Sequence, residues 1–330
     1  MAFQLSPGVN VSEVDLTTIV PSVSTSAGAF AGYFPWGPAQ KTILVDSEIT
    51  MVNRFAPQGP DANSATAFFT SSSFLAYGNN LTIVRAIGSG AVNADANTTQ
   101  ANIQVANEDI FQAGNYITSG AGNLYGAFMA RYPGALGNSL TVSVCDSASG
   151  QFSGWAYASY FTSAPGTSTF VSNNGGSNDE MHIAVIDTNG KFTGTKGTVL
   201  ETFPFVSKAI DASNLNDGSS NWYRQVLFTK SKYIYAMGPV DFANTASTWD
   251  TTSTNKNFAG LVTNITSAMV NGTDEVPTDG QLILNGYSLF TNKELTDISL
   301  VLTGNAESQV QLFSSSDRTS LLTEAVINDG

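Results

Sequence analysis

The side chains that could carry out catalysis are few in this sequence. It contains one histidine, His182, and one cysteine, Cys145, so a general base and a thiol nucleophile each have a single candidate. His182 lies in a predicted strand, Met181–Ile186, and no Gly-x-Ser-x-Gly motif accompanies it. Cys145 follows a second predicted strand, Leu140–Val144, where a small buried apolar side chain is its ordinary role. The sequence therefore predicts no enzyme.

Sites for metals, phosphates and cofactors also lack their usual residues. A lone cysteine and a lone histidine exclude a disulfide framework and the common zinc-ligand sets. No Gly-x-x-x-x-Gly-Lys-Ser/Thr motif occurs, and the glycine pairs at 88–90 and 120–122 lack the third glycine of a dinucleotide fingerprint. The adjacent acids at 108–109 and 179–180 are typical of solvated loops and do not identify a glycosidase pair. We expect no catalytic site, no metal and no cofactor.

Composition narrows the class of protein. The 330 residues include 13 Lys and Arg against 26 Asp and Glu, which gives a formal net charge of −13. This balance excludes a basic nucleic-acid binder, so no nucleic-acid partner is expected. The 42% of hydrophobic residues is enough to build a sizeable core. The sequence has no apolar run long enough to cross a membrane and no secretory signal at its start. We therefore expect synthesis in a cytoplasm and no direct membrane insertion.

The first residues have the pattern of an extended strand. Pro7-Gly8 is a turn signal, and the alternating apolar residues after it change parity near Glu13, which a β-bulge accommodates. Pro21 separates this segment, residues 5–20, from the following chain. Because an isolated strand is not stable in water, the segment must pair with the edge of a sheet. That sheet belongs either to its own chain or to another one, and the first strand of the domain sheet is the simpler alternative.

Residues 23–94 follow with alternating α and β signals, which are typical of an α/β or α+β core. Prolines and a glycine at 35–38 close an apolar run at 27–36. Residue types that cap helices precede two stretches of helical periodicity. The predicted elements are a strand at Thr42–Val45, a helix from Asp46 or Ser47 to Phe55, a helix capped by Asp61 with Gly78 as its C′ residue, and a strand at Leu81–Ile87.

Residues 95–277 differ in character, because helical periodicity nearly vanishes and Ser/Asn/Gly clusters separate short strand candidates. The pattern predicts one or two β-rich domains inserted into the core. An aromatic stretch at 152–161 is interpreted as part of a small β core, with a sugar-stacking platform as the alternative. The strand candidates are Leu140–Val144, Met181–Ile186 and Gln225–Phe228.

Core signals return in residues 278–330. Leu282–Phe290 has helical spacing, and the continuous apolar run Ile298–Leu302 predicts a parallel strand covered on both faces. The sequence stops at Gly330 soon after this strand. We expect the chain to be the N-terminal portion of a longer protein, with a truncated core domain.

Five segments resemble, in the same order, motifs of contractile phage tail sheath proteins. The first two are Leu5-Ser-Pro-Gly-Val-Asn-Val-Ser-Glu13 and Ala31-Gly-Tyr-Phe-Pro-Trp-Gly-Pro-Ala39. The next two are Phe74-Leu-Ala-Tyr-Gly-Asn-Asn-Leu-Thr-Ile-Val-Arg-Ala86 and Arg131-Tyr-Pro-Gly-Ala-Leu-Gly-Asn-Ser-Leu140. The last is Glu294-Leu-Thr-Asp-Ile-Ser-Leu-Val-Leu-Thr-Gly304. Each motif is weak alone, but the ordered set is specific.

The resemblance implies an architecture and a set of positions. It implies an extended N-terminal arm at 1–22, a first part of the sheath core domain at 23–94, outward-facing inserted β-rich domains at 95–277 and a return to the core at 278–330. The implied arm positions are Ser6, Pro7, Gly8, Val9, Val11, Glu13, Val14 and Leu16. The implied core and turn positions are Gly32, Trp36, Gly37, Pro38, Gly78, Arg85, Tyr132, Pro133, Gly134, Gly137 and Gly304. The family's C-terminal domain, which faces the tail tube, is not visible in the sequence.

The resemblance also implies a function. Sheath subunits form hexameric rings that stack helically around a tail tube, and terminal arms link the rings by adding strands to neighbouring sheets. Contraction rearranges the subunits and drives the tube through the host envelope without ATP. The expected partners are other sheath subunits, the tail tube protein, and baseplate and tail terminator proteins. The expected location is the virion tail, after synthesis in the host cytoplasm.

Three alternatives stay open. A β-rich carbohydrate-binding or adhesin module explains the Asn/Thr/aromatic composition but not the α/β opening. A polysaccharide-degrading tail enzyme requires a convergent acid cluster that the sequence does not locate. The sheath of a related contractile injection machine shares the assembly with the viral one, so sequence does not separate these two.

Overall fold

A computed structural model describes residues 26–96, 103–117, 125–147, 152–241, 248–276, 280–291 and 298–304, without the side chains of residues 280 and 281. The chain is a mixed α/β protein, and the described strands form three sheets. The strands are β1 (Gly28–Gly32), β2 (Thr42–Val45), β3 (Leu81–Arg85), β4 (Asn93–Asp95), β5 (Phe128–Pro133), β6 (Leu140–Asp146), β7 (Glu180–Asp187), β8 (Thr198–Ser207), β9 (Ile234–Ala236), β10 (Ile265–Ala268) and β11 (Leu300–Leu302). The α-helices are α1 (Glu48–Phe55), α2 (Ala62–Leu75), α3 (Glu108–Ala113), α4 (Thr169–Asn173), α5 (Tyr223–Lys230) and α6 (Gly280–Ser288).

The first sheet has the order β11-β1-β3-β2. β1 pairs in parallel with both β3 and β11, whereas β2 is antiparallel to β3. Alternate residues of β1 point to opposite faces: Phe30 packs with α1 and α2, and Ala29 packs with Ile283 of α6. The predicted parallel strand at Ile298–Leu302 is thus confirmed at Leu300–Leu302, but as an edge strand with Leu300 44% exposed.

The helix starts are where the sequence predicted them. The Ser47 hydroxyl accepts the Thr50 N–H at 3.2 Å, and the Asp61 carboxylate accepts the Ser64 N–H at 2.9 Å. The predicted end of α2 is wrong in detail, because Ala76 is its C-cap and Gly78 is not among the residues with positive φ. What restricts position 78 is the Phe74 ring, which lies 2.9 Å from where a Cβ would be.

Residues 93–268 contain the other two sheets. One has the antiparallel order β10-β6-β7-β8, and the other has the antiparallel order β4-β5-β9. β4 crosses the predicted domain boundary at 94/95. Isolated bridges from Val92 to Thr273 and from Asp95 to Val270 bring together the two places where the chain passes between the predicted core and the predicted insertion. The division of the chain into an arm, a core and inserted domains stays a prediction.

One predicted strand is wrong. Gln225–Phe228 lies inside helix α5, where Tyr223, Val226 and Leu227 are buried on one side. A short run of apolar residues does not distinguish a strand from a buried helix segment. The tertiary packing of α5 against β9 decides between them here.

The aromatic stretch at 152–161 is core packing, as its first interpretation predicted. Trp155 is 6% exposed, packs with Cys145, and donates its indole N–H to the Ser143 hydroxyl at 2.9 Å. Its neighbours Phe152 and Phe161 also pack against this cluster. The buried indole of Trp155 is not available to stack on a sugar, but Tyr160 in the same stretch is 57% exposed, so the sugar-stacking alternative stays a prediction.

None of the described helices combines the length and apolarity that a membrane crossing requires. Within the same residues, no cluster of three or more His, Cys, Asp or Glu side chains is arranged to hold a metal ion.

Candidate functional site

A buried arginine at the end of β3 is the point where several motif positions meet. Arg85 has no exposed surface. Its Nε donates to the Phe34 carbonyl at 2.6 Å, its Nη1 to the Gly37 carbonyl at 2.8 Å and its Nη2 to the Pro133 carbonyl at 2.7 Å. One guanidinium thus joins the loop after β1 to the end of β5. We call Arg85 and its three acceptor residues the Arg85 junction.

The backbone of Arg85 is held as firmly as its side chain. Its carbonyl accepts the Gln40 N–H at 3.0 Å, and Ala39 forms an isolated parallel bridge with it. Asn107 donates its side-chain amide to the Ala39 carbonyl at 2.9 Å. The loop that carries Trp36, Gly37 and Pro38 is therefore fixed between the first sheet and the inserted residues.

In the Arg85 junction, three backbone carbonyl dipoles stabilise the buried positive charge of the guanidinium. Burial lowers the pKa of Arg85 to about 10, and the nearby Tyr33, Asp274 and Tyr132 oppose that shift, so the guanidinium is charged at neutral pH. Burial raises the pKa of Tyr33, and Asp274 raises it further. Asp274 also accepts the Ala135 N–H at 3.0 Å. Asp274 is a member of this site that no sequence motif indicated, because it lies 189 positions (274 − 85) from Arg85 in a loop without a pattern.

Two glycines give the junction its backbone path. Gly37 has φ of +100°, and a Cβ there would lie 2.5 Å from the Arg54 carbonyl oxygen. Gly134 has φ of +137°, and its Cβ would lie 2.9 Å from an Asp274 oxygen and 3.0 Å from the Pro35 carbonyl oxygen. Other residue types rarely adopt these angles. Glycine is therefore required on both sides of Arg85.

An aromatic contact reinforces the same connection. The Trp36 ring meets the Tyr132 ring edge-on at 5.4 Å and the Phe192 ring edge-on at 5.0 Å. Trp36 is 3% exposed and Tyr132 is 4% exposed. Edge-to-face pairs of this kind add about 0.5–1.5 kcal/mol beyond the burial of their area. Phe192 belongs to the connection between β7 and β8, so the second sheet also contacts the core loop.

The remaining motif positions lie in sheet packing or outside the described residues. A Cβ at Gly32 would meet the Phe30 ring, and one at Gly137 would lie 2.9 Å from the Ala130 Cβ. Gly304 follows β11 with φ of +53°. The predicted arm positions Ser6, Pro7, Gly8, Val9, Val11, Glu13, Val14 and Leu16 lie outside the described residues.

The single histidine and the single cysteine both lie in packed, structural positions. His182 is buried and stacks on Phe161 at 4.4 Å. Its Nε2 lies 2.8 Å from the Ser163 carbonyl oxygen, and its Nδ1 accepts the Phe205 N–H at 3.1 Å, so the neutral Nε2–H tautomer satisfies both contacts. Cys145 is fully buried opposite His182 in the β6–β7 pair. Both side chains therefore contribute to packing, and His182 also contributes hydrogen bonds.

Among the described residues, three further buried cations, Lys208, Arg131 and Arg224, were missed by the sequence reading. Lys208 pairs with Asp146 at 2.8 Å, and both side chains are fully buried. Arg131 donates to the Phe228 and Ser231 carbonyls at 3.0 and 2.6 Å. The chain has only 13 basic residues, so each of them was a candidate for a specific buried role. Their partners lie far away along the chain and were not visible.

Within the described residues, the first and second sheets each have two outer strands. β11 and β2 are the outer strands of the first sheet, and β10 and β8 are the outer strands of the second. An outer strand presents N–H and C=O groups that another strand can pair with. The described geometry therefore offers a buried mechanical connection at Arg85 and outer strands at the edges of two sheets.

Comparison with known proteins gives relatives of one kind. The tail sheath protein of Salmonella phage ViI is 29% identical over 199 residues, which is 60% of this chain and 28% of that protein. The tail sheath protein of Enterobacteria phage T4 is 41% identical over 83 residues, which is 25% of this chain and 12% of that protein. The tail sheath protein of Vibrio phage KVP40 is 38% identical over 81 residues, or 24% of this chain and 12% of that protein. The matched segments thus span well under two thirds of these relatives.

Solved structures and family models complete the comparison. A sheath tail protein from Listeria innocua has a TM-score of 0.46 and 12% identity, covering 93% of this chain and 46% of that one. A sheath tail protein from Desulfitobacterium hafniense has a TM-score of 0.40 and 12% identity, covering 90% of this chain and 45% of that one. No protein-family model matches the chain.

Proposed function

Because this chain is a relative of phage tail sheath proteins, we propose that it is a structural subunit of a contractile tail sheath in a virion. The observation that carries the proposal is sequence similarity to tail sheath proteins of three different phages. The Arg85 junction supports it, because motif positions from separate parts of the chain meet in one buried connection. An enzyme has no comparable support among the described residues.

The subunits stack as hexameric rings around a tail tube, and contraction rearranges them to drive the tube through the host envelope. Segment 1–22 is an arm that adds a strand to the sheet of a neighbouring copy. Its pattern of alternating apolar residues after Pro7-Gly8 supports this role. The partners are other sheath subunits and the tube protein, with baseplate and terminator proteins at the ends.

In this function the Arg85 junction transmits force. A subunit that rotates during contraction must move as a unit, and three charge-assisted hydrogen bonds within one buried guanidinium resist separation of the core loop from β5. Each such bond contributes about 1.5–3 kcal/mol. The inserted sheets then follow the core as the subunit moves.

Electron microscopy of the natural particle tests the proposal. We expect stacked six-fold rings around a tube, with this chain in the outer layer. A full-length protein without residues 1–20 should fold but form no long sheath. Normal sheaths from this truncation contradict the arm, and the absence of the chain from tail particles contradicts the proposal as a whole.

A further inference from the structure

A polar groove runs along the edge of β8 in the second sheet. Two adjoining depressions of about 530 and 420 Å³ meet at Pro204, Asn214 and Asn221. Their combined size is in the range of sites that enclose small organic molecules. Pro204 has no N–H and stands exposed in the outer strand, so the strand edge is poorly suited to pairing with another strand here.

The walls of the groove combine two kinds of surface. The polar side is provided by asparagines and by the Glu180 carboxylate, and the apolar side by Phe170, Phe205 and Leu215. Leu215 is 61% exposed, so its apolar side chain is accessible to a ligand in the groove. A ligand with a polar rim and an apolar face matches this combination.

The polar groups are held in place before any ligand binds. Asn214 donates its side-chain amide to the Ser219 hydroxyl at 2.8 Å, and Asn221 donates its own to the Phe205 carbonyl at 2.8 Å. One Glu180 oxygen accepts the Gly166 N–H at 2.9 Å. For all three residues, the remaining side-chain oxygen has no hydrogen-bond partner among the described residues. Three fixed acceptors therefore face the groove region with unused capacity.

Backbone strain occurs at the same place. Phe205 has φ of +53°, an angle that bulky residues rarely adopt. Its N–H is fixed by His182 and its carbonyl by Asn221, and its ring meets the His182 ring edge-on at 4.6 Å. Conformations of this kind cost on the order of 1–3 kcal/mol and cluster at binding sites. The strain keeps the Phe205 ring at the groove wall.

We propose that this groove binds a neutral saccharide. Sugar rings present hydroxyl groups at their rim and C–H groups on their faces. The hydroxyl groups donate hydrogen bonds to amide and carboxylate oxygens, and the C–H faces pack on aromatic and aliphatic side chains. The charge of the groove selects neutral sugars, because Glu180, Glu201 and Asp217 line it against the single cation Lys230. The site differs from the aromatic stretch at 152–161 that the sequence indicated. It does not depend on the sheath function.

Saturation-transfer difference NMR with the full-length protein tests the site, using glucose, galactose, mannose and N-acetylglucosamine as separate probes. At least one sugar should receive saturation from the protein. The double variant Leu215→Ala/Asn216→Ala removes an exposed apolar contact and an exposed amide, and it should weaken that sugar's affinity about tenfold or more. Leu44→Ala is the matched control, because Leu44 is 64% exposed on β2, away from the groove.

Two outcomes overturn the proposal. One is the absence of saturation transfer to all four sugars. The other is equal affinity in the wild type and the double variant, with both folded by circular dichroism. The sheath function stands or fails separately, because electron microscopy of the particle tests it without any sugar.

Discussion

Arg85 Nη2 donates a 2.7 Å hydrogen bond to the Pro133 carbonyl, although the two residues are 48 positions apart in the sequence. Arg85 ends a strand of the first sheet, and Pro133 ends a strand of the third. The same guanidinium reaches two further carbonyls in the loop after β1. A single buried side chain thus connects the predicted core with the predicted insertion.

Replacing Arg85 by Met should destabilise the chain by about 2–4 kcal/mol, because three buried carbonyls lose their donor. Arg85→Lys should cost less, because an ammonium group keeps the charge but cannot reproduce the planar fork. Urea unfolding measures both. Arg54→Met is the control, because Arg54 is exposed and should change stability by less than about 0.5 kcal/mol. Equal midpoints for Arg85→Met and the control contradict the role of the junction.

The motifs located this site, but they did not show how its parts meet. Trp36, Arg85 and Tyr132 were singled out from separate segments, and the structure brings their segments together. Sequence periodicity reports which face of an element is buried, but not which distant element covers it. Asp274 was therefore invisible, because its contact depends on the path of the whole insertion.

The same distinction explains which elements were predicted correctly. Asp61 was predicted as a helix cap, and Ser47 as one of two candidates together with Asp46, because capping depends on a backbone N–H only three positions away. Gln225–Phe228 of helix α5 was predicted as a strand because such a short apolar run satisfies either periodicity. Its packing against β9, which is not a local property, decides the outcome.

Substitutions of three glycines separate steric clash from backbone strain. Gly134→Ala should destabilise the chain by about 2–4 kcal/mol, because it combines a φ of +137° with a Cβ 2.9 Å from Asp274. Gly194→Ala meets nothing within 4 Å but has φ of +80°, so it should cost only about 1 kcal/mol. Gly154→Ala meets nothing and has no positive φ, so its effect should be near zero. Thermal unfolding ranks the three, and any other order contradicts the clash at Gly134.

His182 should make the chain less stable in weak acid. Burial lowers the pKa of His182 below its usual value of 6.5, and its Nδ1 accepts the Phe205 N–H. The unfolded chain therefore binds a proton more readily than the folded one, and stability falls as the pH drops below about 6.5 towards the folded pKa. The loss is at most about 1.4 kcal/mol per pH unit.

Urea midpoints at pH 7.5 and pH 5.5 for the wild type and His182→Gln isolate this contribution. Nearby acids respond in the opposite direction, because burial raises the pKa of both Glu180 and Glu201. They are present in both proteins, so their effect cancels in the comparison. The wild type should lose more stability than the variant between the two pH values. An equal loss in both proteins excludes His182 as the source.

The two chain crossings between the core and the insertion should tolerate a direct splice. Val92 and Thr273 exchange both backbone hydrogen bonds, at 3.1 and 3.3 Å, which is the geometry that a two-residue hairpin closes. Replacing residues 93–272 by Asn-Gly should therefore leave a core that unfolds cooperatively in urea with a smaller m-value, because less surface is exposed on unfolding.

Arg85 loses its Pro133 acceptor in this variant but gains access to water. In the full-length protein, the spliced subunit should still assemble into a sheath, because the insertion is expected to face outward and to be dispensable for the contacts between rings. A spliced core that unfolds without a cooperative transition shows that the insertion is part of the folding unit.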